Sequence, residues 1–360
     1  MEAGVTSKGA ALVRTATVGS AATLALHPLD SATSEWERLV ATNPGARLYH
    51  RPYWIDALQR SYGFPMFLAS LRAGPDLLAS CVLARSLTPW NQRLVALPFS
   101  DRCEPLAVED GASDALLVAL AKSSSTIPCE VRGIAAPPPW RTNNCFINWE
   151  LDVSAPARRL EQRLSGNFRR NLVRASRLGV TIERGRTIKD LQRFIALNEA
   201  SRRRLGVPSQ PARFFHNLWQ TAHDGNAAEI WVASHLGKDL AAIFLLLDGE
   251  TAYYKWSARS RSETRGAGHL LVWSIVESLR GNYRTLDLGR TDARNDGLNR
   301  FKRELGGAHS PLPYSFVPCA PIEISPEHVH GTRRLIGAIW KHLPPPVCGL
   351  LSGRLYKYLA

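Results

Sequence analysis

Two short elements near residue 290 carry the clearest pattern in the sequence: LDLGR at 286–290 and GLNRFK at 297–302, the latter followed by Gly306. The first, together with Thr285, reads as a short buried strand, and Asn295-Asp296-Gly297 is a turn signal. A short helix is predicted after the turn, ending at Gly306-Gly307. The pattern therefore predicts a strand, a turn and a short helix in direct succession.

Upstream of this stretch the sequence predicts an antiparallel meander. Three strand-like runs cover 229–234, 240–247 and 251–257. They are separated by 237–239, which reads Gly-Lys-Asp, and by Asp248-Gly249, and both separators are good hairpin signals. A glycine-containing loop at 265–268 (RGAG) then leads into a helix predicted from about His269 to Leu279.

The segment before the meander holds most of the positive charge. The chain carries 45 Lys and Arg against 31 Asp and Glu, a formal net charge of +14, and residues 155–220 alone hold 15 basic and 4 acidic side chains. Apolar residues recur there every four positions, which predicts one helix with an apolar face and an arginine face: Leu160, Leu164, Phe168 and Leu172. Such a density of guanidinium groups favours an anionic partner, and a solvated cationic helix face is the alternative.

The first half of the chain repeats the element order of the second half. After the arginine segment, Thr187 with Asp190 resembles a capping box that starts a helix, and Pro211 opens another. The first half offers a strand, two helices, a hairpin, a further helix and later strands in the same order. We predict an α+β (mixed α/β) chain of two tandem domains, each a twisted mixed sheet flanked by helices. The expected boundaries are 22–153 and 154–318, followed by a basic amphipathic tail at 319–360.

Composition narrows the class and location of the protein. With 45% hydrophobic residues the chain is neither disordered nor fibrous, and no apolar run approaches the length that spans a bilayer. The six cysteines are scattered without a CxxC pair, which predicts reduced thiols in a cytoplasmic protein. The tail mixes apolar and basic residues around 344–346, so it either lies on the inner membrane surface as a peripheral contact or packs as a helix pair.

Taken in order, the basic helix, the meander, the following helix, LDLGR and GLNRFK resemble the C-terminal half of the Fem-type (FemAB-like) transferases. They also resemble the related acetyltransferase-like domain of cell-envelope and exopolysaccharide proteins. The resemblance is strong from Leu164 to Gly307 and weaker from residue 45, where Tyr53-Trp54 and Leu97-Pro98-Phe99 are the anchors. It implies two tandem domains of the general N-acetyltransferase (GNAT) type. It also implies transfer of an acyl or aminoacyl group to an amine of a cell-envelope or polysaccharide precursor.

The resemblance further implies a co-substrate, aminoacyl-tRNA or acyl-CoA, with no tightly bound cofactor and no metal. Acyl-CoA enzymes of this fold hold pyrophosphate at a helix N-terminus through an Arg/Gln-x-x-Gly-x-Gly/Ala loop. Arg265 and Gly268 fit that loop, but Leu270 stands where a small residue is expected and would crowd the phosphate. This favours aminoacyl-tRNA as donor. An acyl-CoA-dependent N-acetyltransferase of exopolysaccharide synthesis and a non-catalytic nucleic-acid-binding protein are the alternatives.

We predict three catalytic residues and six binding residues. Lys302 follows a strand and a glycine turn, from which an ammonium group can reach a phosphate or a developing oxyanion. Asp292 is a candidate acceptor for the amine proton, and Tyr254 is a candidate proton donor or a core residue. The predicted binding residues offer a positive charge or a close backbone approach: Arg290, Arg169, Arg170, Arg203, Arg265 and Gly268. No Ser/His/Asp or Cys/His signature is present, so we expect direct attack by the amine in a ternary complex.

Overall fold

The computed structural model describes residues 14–18, 22–87, 92–124, 127–223, 225–261, 266–317 and 340–359. These residues form two compact units. Unit 1 takes its residues from Met1–Pro52, Gly63–Thr142 and Tyr314–Ala320, and unit 2 takes its residues from Tyr53–Tyr62, Asn143–Pro313 and Pro321–Ala360. The division at 22–153, 154–318 and 319–360 stays a prediction.

The first half of the chain contains seven strands and three helices among its described residues. The strands are β1 (Arg14–Val18), β2 (Ala22–Pro28), β3 (Met66–Ala73), β4 (Asp76–Leu87), β5 (Gln92–Val95), β6 (Leu106–Ala107) and β7 (Cys129–Arg132). The helices are α1 (Thr33–Thr42), α2 (Pro52–Tyr62) and α3 (Ala112–Ser123).

The second half contains a further seven strands and seven helices among its described residues. The strands are β8 (Arg141–Asp152), β9 (Thr181–Gly185), β10 (Ala228–His235), β11 (Lys238–Asp248), β12 (Thr251–Arg259), β13 (Thr285–Asp292) and β14 (Ala308–Val317). The helices are α4 (Ala157–Arg163), α5 (Gly166–Arg177), α6 (Ile188–Leu205), α7 (Ala212–His223), α8 (Ala267–Leu279), α9 (Asp296–Glu304) and α10 (Pro345–Leu355).

Each unit is built on a mixed sheet. In unit 1 the strand order is β1-β2-β3-β4-β5-β7, β5 and β7 are parallel, and the last four residues of β14 pair with β7. In unit 2 the order is β8-β13-β12-β11-β10-β9, and β12 and β13 are the parallel pair. The order β2-α1-α2-β3-β4-β5-α3-β7 of the first half recurs as β9-α6-α7-β10-β11-β12-α8-β13. The predicted fold class of two mixed sheets flanked by helices is confirmed.

The arginine-rich segment differs from the single helix that its apolar spacing predicts. It forms two helices, because α4 ends at Arg163 and Ser165 caps a new helix with its side-chain oxygen, which accepts a hydrogen bond from Phe168 N at 3.0 Å. The backbone N–H of Ser165 donates to Glu304 O at 2.9 Å, which fixes the break against the end of α9. Spacing alone could not reveal the break, since Leu160, Leu164 and Phe168 are buried in one core on both sides of it.

Helix α8 lies at the centre of unit 2. Its buried residues occur around most of its circumference, and it packs against α5 as well as against β10 and β11. Full burial of an aliphatic side chain such as Leu271 or Ile275 contributes about 1.5–3 kcal/mol. The start of α8 is equally close-packed, because Gly266 approaches the carbonyl of Asn171 on α5. Packing on both sides therefore fixes the position of the N-terminus of α8.

In unit 1 the parallel strands β5 and β7 pair at two positions, Leu94 with Cys129 and Val95 with Glu130. The space past these pairs is occupied by the buried guanidinium group of Arg132. It donates to Glu130 at 2.6 Å and to the Ser100 carbonyl at 3.1 Å, and it lies 5.2 Å from the centroid of the Tyr314 ring. Arg132 and the groups that contact it therefore fill the space past the paired residues of β5 and β7.

The described part of the tail packs on unit 2. Helix α10 contacts α6 and α7, and Arg213 donates to the Gly353 carbonyl at 3.2 Å. Tyr356 stacks on Tyr62, with ring centroids 6.3 Å apart. Residues 318–339, which include half of the predicted amphipathic tail, lie outside the described residues. Within the part of the chain that the structure describes, no helix combines the length and the apolar character needed to cross a bilayer.

We predict that Gly266→Ala destabilises the protein by about 2 kcal/mol or more. Gly266 has a φ of +107°, and an added Cβ would lie 2.3 Å from the Asn171 carbonyl oxygen. Gly249→Ala is the matched control, because its φ is +55° with nothing within 4 Å of the added atom, and it should cost only about 1 kcal/mol. Chemical denaturation measures both values. Equal losses in the two variants would contradict the close approach of α8 to α5.

Candidate active site

Strands β12 and β13 separate toward their C-terminal ends. They pair at three positions, from Thr251 with Thr285 to Tyr253 with Asp287. Past this point β12 continues to Arg259 beside β11, while β13 continues beside β8. A bulge marks each divergence: Lys255 is an extra residue in β12, and Leu288 is an extra residue in β13. A bulge bends the strand that carries it. The backbones of β12 and β13 therefore move apart past these two positions.

The N-terminus of α8 lies next to this separation and carries a cation. Gly266 is the N-cap, and no side chain caps the helix. The guanidinium group of Arg259, at the end of β12, lies against Gly268, so that a Cβ added there would be 3.1 Å from three of its atoms. The same guanidinium lies 5.3 Å from the centroid of the Phe301 ring. A helix N-terminus and a guanidinium group both favour an anion, so phosphate is the group that this place suits best.

His269 follows Gly268 and adds a neutral imidazole. Its ring contacts Phe168 and Phe301, with centroid distances of 4.8 and 5.4 Å. Nδ1 is buried, and no described residue forms a hydrogen bond with it. Burial of the ring, with the nearby positive charge of Arg259, lowers the pKa of His269 from 6.5 to about 4. The imidazole is therefore uncharged near neutral pH and does not repel Arg259.

The GLNRFK element holds the end of β13 in place. Lys302 is 3% exposed, and its Nζ donates to the Gly289 carbonyl at 2.7 Å and to Thr291 Oγ1 at 2.6 Å. Asn299 is also buried; its amide donates to the Asp292 and Ala293 carbonyls, and its Oδ1 accepts from Trp149 Nε1 at 3.0 Å. The ammonium group of Lys302 thus has two protein acceptors. Its role as a ligand for phosphate or an oxyanion stays a prediction.

Asp292 and Arg290 lie at the same end of β13. The Asp292 carboxylate accepts hydrogen bonds from Arg294 N at 2.9 Å and from Arg294 Nε at 3.4 Å. Partial burial by itself would raise the pKa of Asp292, but the Arg294 bonds and the charges of Arg294 and Arg290 lower it overall. Arg290 is exposed, and its guanidinium lies 4.4 Å from the centroid of the Phe146 ring. The structure thus brings Arg290, Asp292 and Lys302 together around one strand end.

The other predicted residues lie in different surroundings. Tyr254 is partly buried and packs against the hydrophobic core of unit 2. Arg169 and Arg170 are on the exposed face of α5. Arg203 lines a separate cavity of about 190 Å³ together with Glu199 and Trp340. Arg265 lies outside the described residues.

Leu270 does not crowd the N-terminus of α8 as expected. Its side chain packs against the core of unit 2, because successive helical positions point in different directions. The group beside Gly268 is the Arg259 guanidinium. Arg259 and His269 were missed by sequence reasoning, because a lone arginine at a strand end and a lone histidine at a helix start carry no local signal of a site.

We predict that Lys302→Met lowers the free energy of unfolding by about 1–3 kcal/mol, because it leaves two buried oxygen atoms without their donor. Lys189→Met removes an exposed lysine and should leave stability within about 0.5 kcal/mol of the wild type. Urea denaturation measures both values. A Lys302→Met protein as stable as the control would show that the two hydrogen bonds contribute nothing to holding β13.

A second prediction concerns acid stability. The pKa of His269 is 6.5 in an unfolded chain and about 4 in the fold. Between these two pH values the unfolded chain therefore binds a proton that the folded chain does not bind. The contribution of this group to stability is present above pH 6.5 and falls as the pH decreases toward 4. His269→Phe keeps an aromatic ring and should show a smaller loss over that range in matched denaturation series. An imidazole titration observed by NMR near 6.5 would contradict the burial described for His269.

Comparison with known protein families gives a match in the second half of the chain. Residues 162–303 match the family model of the acetyltransferase (GNAT) domain. No curated protein sequence matches the chain at a significant level.

Solved structures with a similar fold cover most of this chain. The crystal structure of FemX aligns over 78% of this chain and 95% of its own, with 13% identity and a TM-score of 0.59. L-PGS from Bacillus licheniformis aligns over 84% of this chain and 96% of its own, with 16% identity and a TM-score of 0.53. The C-terminal domain of a putative lysylphosphatidylglycerol synthetase from Agrobacterium fabrum aligns over 70% and 84%, with 14% identity and a TM-score of 0.51.

At such low identity these likenesses show a shared fold, and the family model adds the class of enzyme. Residues 162–303 therefore form an acetyltransferase (GNAT) domain. The class of enzyme that this domain indicates is an acyltransferase, and the fold is shared with FemX.

Proposed function

We propose that this acyltransferase moves an aminoacyl group from aminoacyl-tRNA to an amine of a cell-envelope precursor. The observation that carries the proposal is the separation of β12 and β13 beside the N-terminus of α8 and Arg259. A carrier bound there has its phosphate next to a cation and a helix N-terminus. Its reactive carbonyl can then lie along β12, where β13 is no longer a neighbour.

The chemistry needs no covalent intermediate. The neutral amine attacks the ester carbonyl, a C–N bond forms, and the ester C–O bond breaks. The proton that the amine loses passes by way of its acceptor to the ribose oxygen, which leaves as a hydroxyl group. A backbone N–H of β12 past Tyr253 is the proposed donor to the tetrahedral oxyanion. Asp292 is the proposed acceptor of the amine proton; its low pKa keeps it ionised, although it also makes the carboxylate a weak base. Lys302 acts by holding the strand end that carries Asp292 and Arg290.

The position of Arg259 supports tRNA over acyl-CoA as the carrier. Its guanidinium covers the backbone at Gly268, where acyl-CoA enzymes of this fold expose amides to a pyrophosphate. A guanidinium group can bind a single phosphodiester through charge-assisted hydrogen bonds, without contacts from backbone N–H groups. Arg265 and Arg203 are further proposed contacts for the carrier, and Arg169 and Arg170 are proposed contacts for a cell-envelope acceptor.

The acceptor is proposed from the chemistry of the similar structures. One of them is named as a putative lysylphosphatidylglycerol synthetase, a name that joins an amino acid to a membrane lipid. A cell-envelope acceptor agrees with that name. Acyl-CoA-dependent acetylation of an amino sugar is the alternative, since the GNAT domain is the part of the chain that the family model matches.

We predict that charged tRNA raises the melting temperature of the protein and supports transfer to an amine, whereas acetyl-CoA does neither. Arg259→Gln should raise the KM for the donor about tenfold, because a charge-assisted hydrogen bond to phosphate is lost. Arg280→Gln, at the opposite end of α8 and exposed, is the matched control and should leave KM unchanged. A melting shift and transfer with acetyl-CoA alone would establish the alternative donor.

A further inference from the structure

The outward face of α5 is a dense cluster of arginines with aliphatic side chains between them. It lines an open depression of about 460 Å³, and the lining residues are Arg169, Arg170, Val173, Arg174, Arg177 and Leu178. We call these six residues the α5 face. Its aliphatic members lie in water: Val173 is 50% exposed and Leu178 is 41% exposed. Neither takes part in the core that Phe168 and Ala175 form on the other side of the helix.

The four arginines of the α5 face have no counter-charge among the residues that the structure describes. Among the described residues, no carboxylate lies within ion-pair distance of any of them. Other arginines of the same basic segment are paired: Arg184 and Arg186 bind Glu229, and Arg193 binds Asp239 and Glu183. The mutual repulsion of the α5 face is therefore not relieved within the described chain, and an anionic partner would relieve it.

A third exposed aliphatic side chain lies beside this helix. Leu236 is at the tip of the β10–β11 hairpin and is 86% exposed. The neighbouring His235 reaches the Gly179 carbonyl, with Nδ1 3.5 Å from the oxygen, which places the tip next to the C-terminal end of α5. Leu236 has a φ of 48°, a left-handed conformation that asparagine or glycine adopts at lower cost. Folding alone gives no reason for a leucine at this position.

We propose that the α5 face and Leu236 form a docking surface for a bilayer of anionic phospholipids. Guanidinium groups pair with lipid phosphates, and exposed aliphatic side chains enter the acyl-chain boundary beneath them. A single-stranded nucleic acid would instead call for exposed aromatic side chains on which bases stack. In the described residues of α5 and of the hairpin, every Phe and Trp is buried. The combination therefore favours lipid over RNA, and it assigns membrane contact to a surface other than the tail.

The experiment compares vesicle binding by two variants of equal charge. The test variant is Arg169→Gln, Arg170→Gln, Arg174→Gln and Arg177→Gln. The control is Arg38→Gln, Arg141→Gln, Arg280→Gln and Arg284→Gln, which removes four exposed arginines from other places. Co-sedimentation uses phosphatidylcholine vesicles with about one third phosphatidylglycerol at physiological salt. Each membrane-facing arginine strengthens binding roughly fivefold, so the test variant should bind at least about 100-fold more weakly and the control less than about threefold more weakly.

A single substitution separates the apolar contribution from the charge. Leu236→Asn suits the left-handed backbone, so its melting temperature should equal or exceed that of the wild type. Its binding to the same vesicles should nevertheless fall by about threefold to tenfold, since one partly inserted aliphatic side chain is lost. Misfolding would lower the melting temperature together with vesicle binding, so weaker binding at an equal or higher melting temperature would not arise from misfolding. Unchanged vesicle binding by Leu236→Asn would remove the hairpin from the surface.

Three outcomes would overturn the proposal. The first is failure of the wild type to bind the vesicles at physiological salt. The second is an equal loss of binding in both charge variants, which would make net charge alone responsible. The third is binding of uncharged tRNA through the α5 arginines without binding of vesicles, which would assign the surface to RNA. Because vesicle binding is measured without any donor or acceptor, its failure is distinguishable from failure of the proposed transfer reaction.

Discussion

The two hydrogen bonds from the buried ammonium group of Lys302 hold the end of β13 against α9. Gly289 has a φ of +75°, so this carbonyl belongs to a backbone turn that needs an external partner to stay in place. Asn299 secures the next two carbonyls. The separation of β12 from β13, and the placement of Arg290 and Asp292, depend on these contacts. A motif that carries a family resemblance therefore acts here by positioning a strand.

Local signals were sufficient for most of the fold. The capping box of Thr187 and Asp190 is present, and Gly237 and Gly249 adopt the positive φ of the hairpins that they predict. The apolar stripe from Leu160 to Leu172 misled, because a capped break at Ser165 preserves the spacing of buried residues across two helices. Periodicity reports which residues are buried and does not report whether the backbone is continuous between them.

The candidate site was only partly predictable. Gly268, Arg290, Asp292 and Lys302 lie where strand ends and turns place them, and these are features that sequence reveals. Arg259 acquires its meaning from contact with Gly268 and Phe301, which depends on how β12, α8 and α9 pack. Some arginines of the basic segment pair with Glu229 and Asp239, whereas those on α5 have no ion pair within the described part of the chain. A count of charges could not separate the two groups, since both belong to one basic segment.

The duplicated order of elements has an asymmetric outcome. In unit 1 the parallel strands also part early, but Arg132 and its partners Glu130 and Ser100 fill the place where a carrier would enter. In unit 2 the corresponding strand ends meet Gly268 and the guanidinium group of Arg259. If the proposed carrier binds in unit 2, the described part of unit 1 has no equivalent place for a second carrier, and a single polypeptide is expected to load one carrier at a time.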